Sequence, residues 1–352
     1  MLKSLQSFRF IAILLVFFSH LGFLIKYPIY QDIFQKYLMD GFSGVTFFII
    51  LSGFVITYAY YNRIDDYSFK TSKDFLIKRV KKFYPLHILT LILSVPFMFF
   101  VFLEEPLGTV IKFILNIFLL QSYVPDTSTN YSFNGVAWYL SISLLFYFST
   151  PFVLCHLKKI ESNSKLLWLT VISIYIGQLL YVFLLRDTGN VEWTIYINPF
   201  FRLFDYIIGC TLGVLFLNKK KNNYANSIFT VGEIFSIALF ILAYLNNSSI
   251  ELVYRYGVFY SPIFIIMIFV YSFQNGWVSK KVLSNKFCIY LGDISFEFFL
   301  IHQLVIKYST RILLNSDPMI IVIFSLVFSL TGSIIIHKYF HIVKKMVSKL
   351  VF

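Results

Sequence analysis

IAILLVFFSHLGFLI, Ile11 to Ile25, is the stretch that decides the fold class. It is apolar on every face of a helix, so it reads as a bilayer-spanning segment rather than the one-sided stripe of a soluble helix. Runs of the same character recur, including FFIILSGFVITYAYY (Phe47–Tyr61) and ILTLILSVPFMFFVFL (Ile88–Leu103), and they continue to the C-terminal end. Of the 352 residues, 58% are hydrophobic and 13% charged, whereas a soluble domain carries about 25% charge. Mean hydropathy is +0.76. The runs lack the period-two alternation of an outer-membrane barrel. No small-residue cleavage site follows the first run, and it opens a series of like segments, so it is expected to be retained rather than removed as a signal peptide. The expectation is an all-α, polytopic membrane helix bundle, a single integral-membrane domain over residues 1–352 with no appended soluble domain and no internal repeat.

Loop charges orient the bundle. The net charge of +13 collects in NRIDDYSFKTSKDFLIKRVKK (Asn62–Lys82), HLKKIESNSK (His156–Lys165), NKKKNN (Asn218–Asn223), VSKKVLSNK (Val278–Lys286) and the tail KYFHIVKKMVSK (Lys338–Lys349). The alternate loops, such as VPDTSTNYSFN (Val124–Asn134) and NNSSIE (Asn246–Glu251), are poor in Lys and Arg. Cations stay on the cytoplasmic side, so both termini are expected inside. This use of the charge points to topology and membrane lipid rather than nucleic acid. Eleven apolar segments would put the termini on opposite sides, so one should not cross. VIKFILNIFLLQSYV, Val110 to Val124, is short and carries Lys112 and Asn116. It is assigned as a re-entrant or interfacial helix beside about ten crossings. Such backbone survives at membrane depth only against protein or a watery cavity, which places it near a site.

Polar residues inside the spans are the candidates for chemistry, because ionisable groups in a bilayer face a cavity or a partner. In RFIAILLVFFSH, eleven helical steps of about 100° bring His20 back to the azimuth of Arg9, about 16 Å along the helix. Given the inward N-terminus, His20, His302, Arg202, Asp205, Trp138 and Tyr139 are expected at one level on the outer side. Lys78, Arg79, Lys81 and Lys82 form, with Arg9, a cationic patch at the inner mouth suited to a polyphosphate. Each has a plainer reading. Juxtamembrane cations fix topology or touch lipid headgroups, Trp138 and Tyr139 suit an interfacial aromatic belt, a membrane His can be an interhelical hydrogen-bond partner, and Arg202 can simply pair with Asp205. Cys155, Cys210 and Cys288 have no metal-ligand spacing and read as small buried hydrophobes; no metal is expected.

Taken in order, several stretches resemble the integral-membrane acyltransferase family 3, which acylates cell-envelope glycans. LQSFRFIAILLVFFSHLGF carries Arg9, ten residues, then His20; GFSGVTFFIILSGFVI (Gly41–Ile56) contains Ser52 and Gly53. FLIKRVKKFYPLH is similar to the basic motif, with Lys82 where Arg is usual and His87 where Tyr is usual. WYLSISLLFYFSTPF, FFRLFDYIIGCTLG and ISFEFFLIHQLVI match the later helices. The chain departs from the family at Ser143 and Leu144, where many members carry Glu, and at FHIVKK, where they often end in Glu-x-Pro. If that Glu assists catalysis in relatives, its task here is either absent or moved to Asp205 or Glu297.

The resemblance implies an acyl-CoA-dependent O-acyltransferase of the bacterial inner (cytoplasmic) membrane. Acetyl-CoA would be the donor, and the acceptor a hydroxyl of a surface or lipid-linked glycan such as O-antigen lipopolysaccharide, capsule or exopolysaccharide. On that reading Arg9, Lys78, Arg79, Lys81 and Lys82 hold coenzyme A phosphates, and His20 is the general base, imidazole being suited to that work at neutral pH. Arg202 or His302 would stabilise the oxyanion, Trp138 and Tyr139 would stack on a sugar ring, and Ser52 is a secondary candidate. The competing class is a flippase or exporter of a lipid-linked glycan, which intramembrane charges suit equally.

Overall fold

The computed structural model describes residues 2–219 and 226–351, with side chains as far as Tyr339. The basic loop from Lys220 to Asn223, and the tail side chains that include the FHIVKK departure, lie outside the described residues. Helices and turns make up the described chain, with no strand among them. The principal helices are α1 (Lys3–Ser19), α2 (Ser43–Tyr60), α3 (Phe69–Ser94), α4 (Pro106–Ile117), α5 (Trp138–Lys159), α6 (Ser164–Leu185), α7 (Pro199–Lys219), α8 (Asn226–Leu245), α9 (Ser261–Ser272), α10 (Lys286–Asp293), α11 (Ser295–Ile312) and α12 (Pro318–Val351).

Among the described residues, nine helical stretches are long and apolar enough to cross a bilayer. α10 and α11, bent by 60° where they meet, make a tenth if they form one span. The chain is a multi-pass membrane protein. Its outer surface is apolar, with Phe183, Leu184, Phe235 and Leu242 among the exposed side chains. Lipid solvates such a surface, and association between the helices then depends on close packing and internal hydrogen bonds.

The centre of the bundle is the α2–α7 crossing, and glycine makes it possible. A Cβ on Gly53 would lie 2.1 Å from the Tyr206 carbonyl oxygen, and one on Gly209 would lie 1.9 Å from that of Ile50. Two backbones approach this closely only where both side chains are missing. α1 also packs on α2, and α11 packs beside α1. The first and penultimate helices thus meet although most of the chain lies between them.

α4 spans 12 residues, about 18 Å of helix at about 1.5 Å per residue, against the ~30 Å of a hydrocarbon core. It is too short to cross, as the loop charges required. Pro106 starts it at a position where the missing N–H costs nothing. The helix stops at Ile117, earlier than the expected Val124, because Leu119 turns the chain with φ of 56°. Leu107, Val110, Ile111 and Ile114 are exposed. Asn116 is buried, and its amide donates to Ser132 Oγ at 2.9 Å. The short helix therefore shows its apolar face outward and its polar end to the protein, with His87 Nε2 2.8 Å from the Asn116 carbonyl oxygen.

Candidate active site

A cavity of about 450 Å³ lies between α1, α2, α3, α5 and α11, within the usual range for a small-molecule site. α1 contributes Arg9 and α3 contributes Arg79. Arg9 donates to Gln6 Oε1 at 3.4 Å, and Gln6 is itself held by Asp293 Oδ1 at 2.8 Å. Arg79 lies over the Tyr60 ring at 4.3 Å and the Phe75 ring at 5.2 Å. Among the described residues neither guanidinium has a carboxylate oxygen within 4.0 Å. Two cations on the wall of a cavity with no carboxylate in its lining form an anion-binding arrangement. Lys78, Lys81 and Lys82 share α3 with Arg79 but are exposed and do not line the cavity. One helix cannot turn four such closely spaced residues inward, since successive positions rotate by about 100°.

The same cavity carries hydroxyls. Tyr139, Ser143 and Tyr147 fall at four-residue intervals along α5 and so share a face. Tyr139 and Tyr147 line the cavity together with Ser52 of α2, whose hydroxyl sits beside both phenols. Ser143, at the position where many family members carry Glu, donates to the Tyr139 carbonyl oxygen at 2.7 Å. Tyr147 lines the cavity and is absent from the sequence-based candidates; its signal is the spacing of two four-residue steps from Tyr139.

His20 caps the C-terminal end of α1, and its Nδ1 lies 3.0 Å from Nε2 of His302 on α11. Nδ1 of His302 lies 2.8 Å from the Phe299 carbonyl oxygen and 3.1 Å from that of Phe298. Carbonyl oxygens only accept, so the network assigns the His302 proton to Nδ1. Its Nε2 then accepts from Nδ1–H of His20, and Nε2 of His20 is left with a free lone pair. His302 is fully buried, whereas His20 is half-buried. Neither lines the cavity. Phe299 touches both groups: its ring lines the cavity, 5.6 Å from that of Tyr139, and lies 6.1 Å from the His302 ring.

The remaining candidates sit elsewhere. Arg202 and Asp205 are both fully buried and pair at 3.1 Å. Arg202 also donates to Thr46 Oγ1 at 2.8 Å, and Asp205 accepts from the Gln178 amide at 3.1 Å. The pair ties α7 to α2 and α6 and does not line the cavity. Trp138 packs its ring on Tyr196 at 4.9 Å, and its carbonyl oxygen accepts from Ser122. It faces the protein interior, one position off the Tyr139 stripe. Glu297 bonds His337 at 2.9 Å on the side of α11 toward α12.

The acyltransferase domain family matches residues 2–338. The peptidoglycan O-acetyltransferase OatA of Listeria monocytogenes is 26% identical over 331 residues, covering 90% of this chain and 51% of that protein. A putative O-acetyltransferase of Staphylococcus aureus strain COL is 23% identical over 324 residues, 87% of this chain and 51% of the relative. The acyltransferase MdmB of Streptomyces mycarofaciens is 23% identical over 342 residues, 89% of this chain and 81% of the relative. The chain spans about half the length of the first two. No solved structure matches. This chain belongs to the acyltransferase domain family.

Proposed function

From that membership we propose that the protein transfers an acyl group from acyl-coenzyme A to a hydroxyl of a cell-envelope glycan, across the cytoplasmic membrane. The relatives' names favour acetyl as the group, and the Listeria protein's name adds peptidoglycan to O-antigen, capsule and exopolysaccharide as acceptor classes. The observation that carries the reading is the hydrogen bond between His20 and His302, which holds one imidazole by its Nδ1–H and leaves its Nε2 lone pair to act as a base.

The sequence of events follows from those groups. Arg9 and Arg79 attract the donor's phosphates and draw its acyl arm toward the Tyr139–Phe299 wall. The ring of Phe299 moves aside to admit the thioester. Nε2 of His20 takes the proton of the acceptor hydroxyl as that oxygen bonds to the thioester carbonyl carbon. His302 Nε2 keeps its bond to His20 Nδ1–H and so stabilises the imidazolium, the orienting role a third group plays in nucleophile–base pairs generally. Collapse of the tetrahedral adduct breaks the carbon–sulfur bond, and the departing thiolate takes the proton back from His20. The ester and free coenzyme A are the products. General-base assistance of this kind is worth about 10²–10⁴-fold in rate.

Membranes containing the protein, given acetyl-coenzyme A labelled in the acetyl group, should place base-labile label in glycan. Glycan translocation with no ester formed would replace this reading with a transporter.

A further inference from the structure

α11 presents a second polar face beside His302. Leu300, Gln303, Lys307 and Arg311 follow at three- or four-residue spacing and form one stripe. The stripe packs against the segment Ser132–Gly135, which joins the short helix α4 region to α5. The Asn134 amide donates to the Leu300 carbonyl oxygen at 2.9 Å, and Lys307 Nζ donates to the Phe133 carbonyl oxygen at 3.3 Å. The Gln303 amide lies against Gly135, where a Cβ would stand 2.7 Å from its oxygen. Phe133 holds φ of 59°, a left-handed conformation that is uncommon outside glycine.

What this face leaves unsatisfied defines its ligand. Oδ1 of Asn134 and Oε1 of Gln303 are buried acceptors with no hydrogen-bond donor, and such a group costs about 1–3 kcal/mol while it stays unpaired. Both call for a donor such as a hydroxyl. Lys307 and Arg311 share the Phe97 ring, at 5.7 Å and 4.4 Å, and among the described residues neither has a carboxylate oxygen within 4.0 Å. Both call for an anion. Gln303 and Lys307 are partly exposed and Arg311 is exposed, whereas Asn134 is buried beneath them, so a ligand meets the two cations first. Lys307 follows His302, the hydrogen-bond partner of His20, by five residues on α11.

We propose that Asn134, Gln303, Lys307 and Arg311 form the acceptor subsite, built for a saccharide that carries a carboxylate or phosphate. Sugar hydroxyls donate to Asn134 Oδ1 and Gln303 Oε1, and the two cations hold the negative substituent. The acceptor is thereby held along α11, the helix that carries His302, the hydrogen-bond partner of His20. The proposal rests on the acyl-transfer reading, and goes beyond it in naming the charge of the acceptor.

The test uses the full chain in lipid vesicles with labelled acetyl-coenzyme A and two acceptors. One is a neutral N-acetylglucosamine disaccharide, and the other is the same disaccharide bearing a carboxylate as N-acetylmuramic acid. Lys307→Met and the exposed Arg311→Met should each raise KM for the carboxylate sugar about ten-fold, the loss of one charge-assisted contact. KM for the neutral sugar should stay as in the wild type. Equal effects on both sugars, or none, would overturn the subsite. An effect seen only when phosphatidylglycerol is added to phosphatidylcholine vesicles would also overturn it, by assigning the cations to lipid headgroups. Calorimetric binding of the two sugars separates the subsite from the chemistry. Preferential binding of the carboxylate sugar that Lys307→Met abolishes supports the subsite even where wild-type protein transfers nothing, and in that case it is the acyl-transfer reading that fails.

Discussion

Nε2 of His302 lies 3.0 Å from Nδ1 of His20, joining two helices 282 residues apart in sequence. The pair fixes which nitrogen of His20 is free. His20→Ala should abolish glycan acylation while the protein still inserts in membranes. His302→Ala should lower kcat by about 10²-fold, a fraction of the general-base effect, with KM for donor unchanged. Full activity in His20→Ala, measured as label in glycan, would remove the base.

The two arginines on the cavity wall predict a different signature. Arg9→Ala and Arg79→Ala should raise KM for acyl-coenzyme A by about ten-fold or more, the scale of a lost charge-assisted contact, and leave kcat near its wild-type value. Lys78→Ala should change neither, because Lys78 lies outside the cavity. A steady-state titration of donor decides it; an unchanged KM in Arg9→Ala would end the phosphate role.

Phe299 lines the cavity and packs against His302, so its removal should open a path for water as well as for the thioester. Phe299→Ala is expected to raise hydrolysis of acyl-coenzyme A in the absence of acceptor, read as free thiol released. If hydrolysis is unchanged, Phe299 is a wall and not a gate.

Arg202 and Asp205 are buried with each other, and breaking such a pair from one side strands a charge at a cost of about 3–5 kcal/mol. Asp205→Leu should lower thermal stability sharply. Arg202→Met combined with Asp205→Leu should recover much of it, because the second change removes the stranded cation. Thermal midpoints of the three proteins in detergent check this; no recovery in the double variant would show that Arg202 has work beyond the pair.

In the loop after α4, Asp126 accepts from the Ser128 and Thr129 hydroxyls, each at 2.6 Å, and from the Thr129 amide at 2.9 Å. These donors, the Ser128 hydroxyl foremost, pull its carboxyl down to about 2. Because the folded value is depressed, the stabilisation is complete above the ordinary carboxylate value of about 3.9 and is lost as pH falls through about 2. The gap in thermal midpoint between wild type and Asp126→Asn should therefore be constant at neutral pH and close on acidification. A gap that persists at the acid end would assign the effect to shape rather than charge.

By itself the sequence determined the membrane class, the non-crossing segment and the ordered motifs. Hydropathy and loop charge act locally and need no partner to be read. Arg9 and His20 share a helical face for the same reason, since about 100° per residue is a property of one helix. What the neighbours do was decided only by tertiary structure. Ser52, Tyr139 and Tyr147 come from two helices that meet at a cavity. His302 reaches His20 from the far end of the chain. Arg202 and Asp205 turn to each other, and of four clustered cations on α3 only Arg79 faces inward. Those outcomes depend on which helices pack together and at what rotation. Gly53 and Gly209 set that rotation by letting α2 and α7 touch backbone to backbone, a contact whose partner is not written in either helix alone.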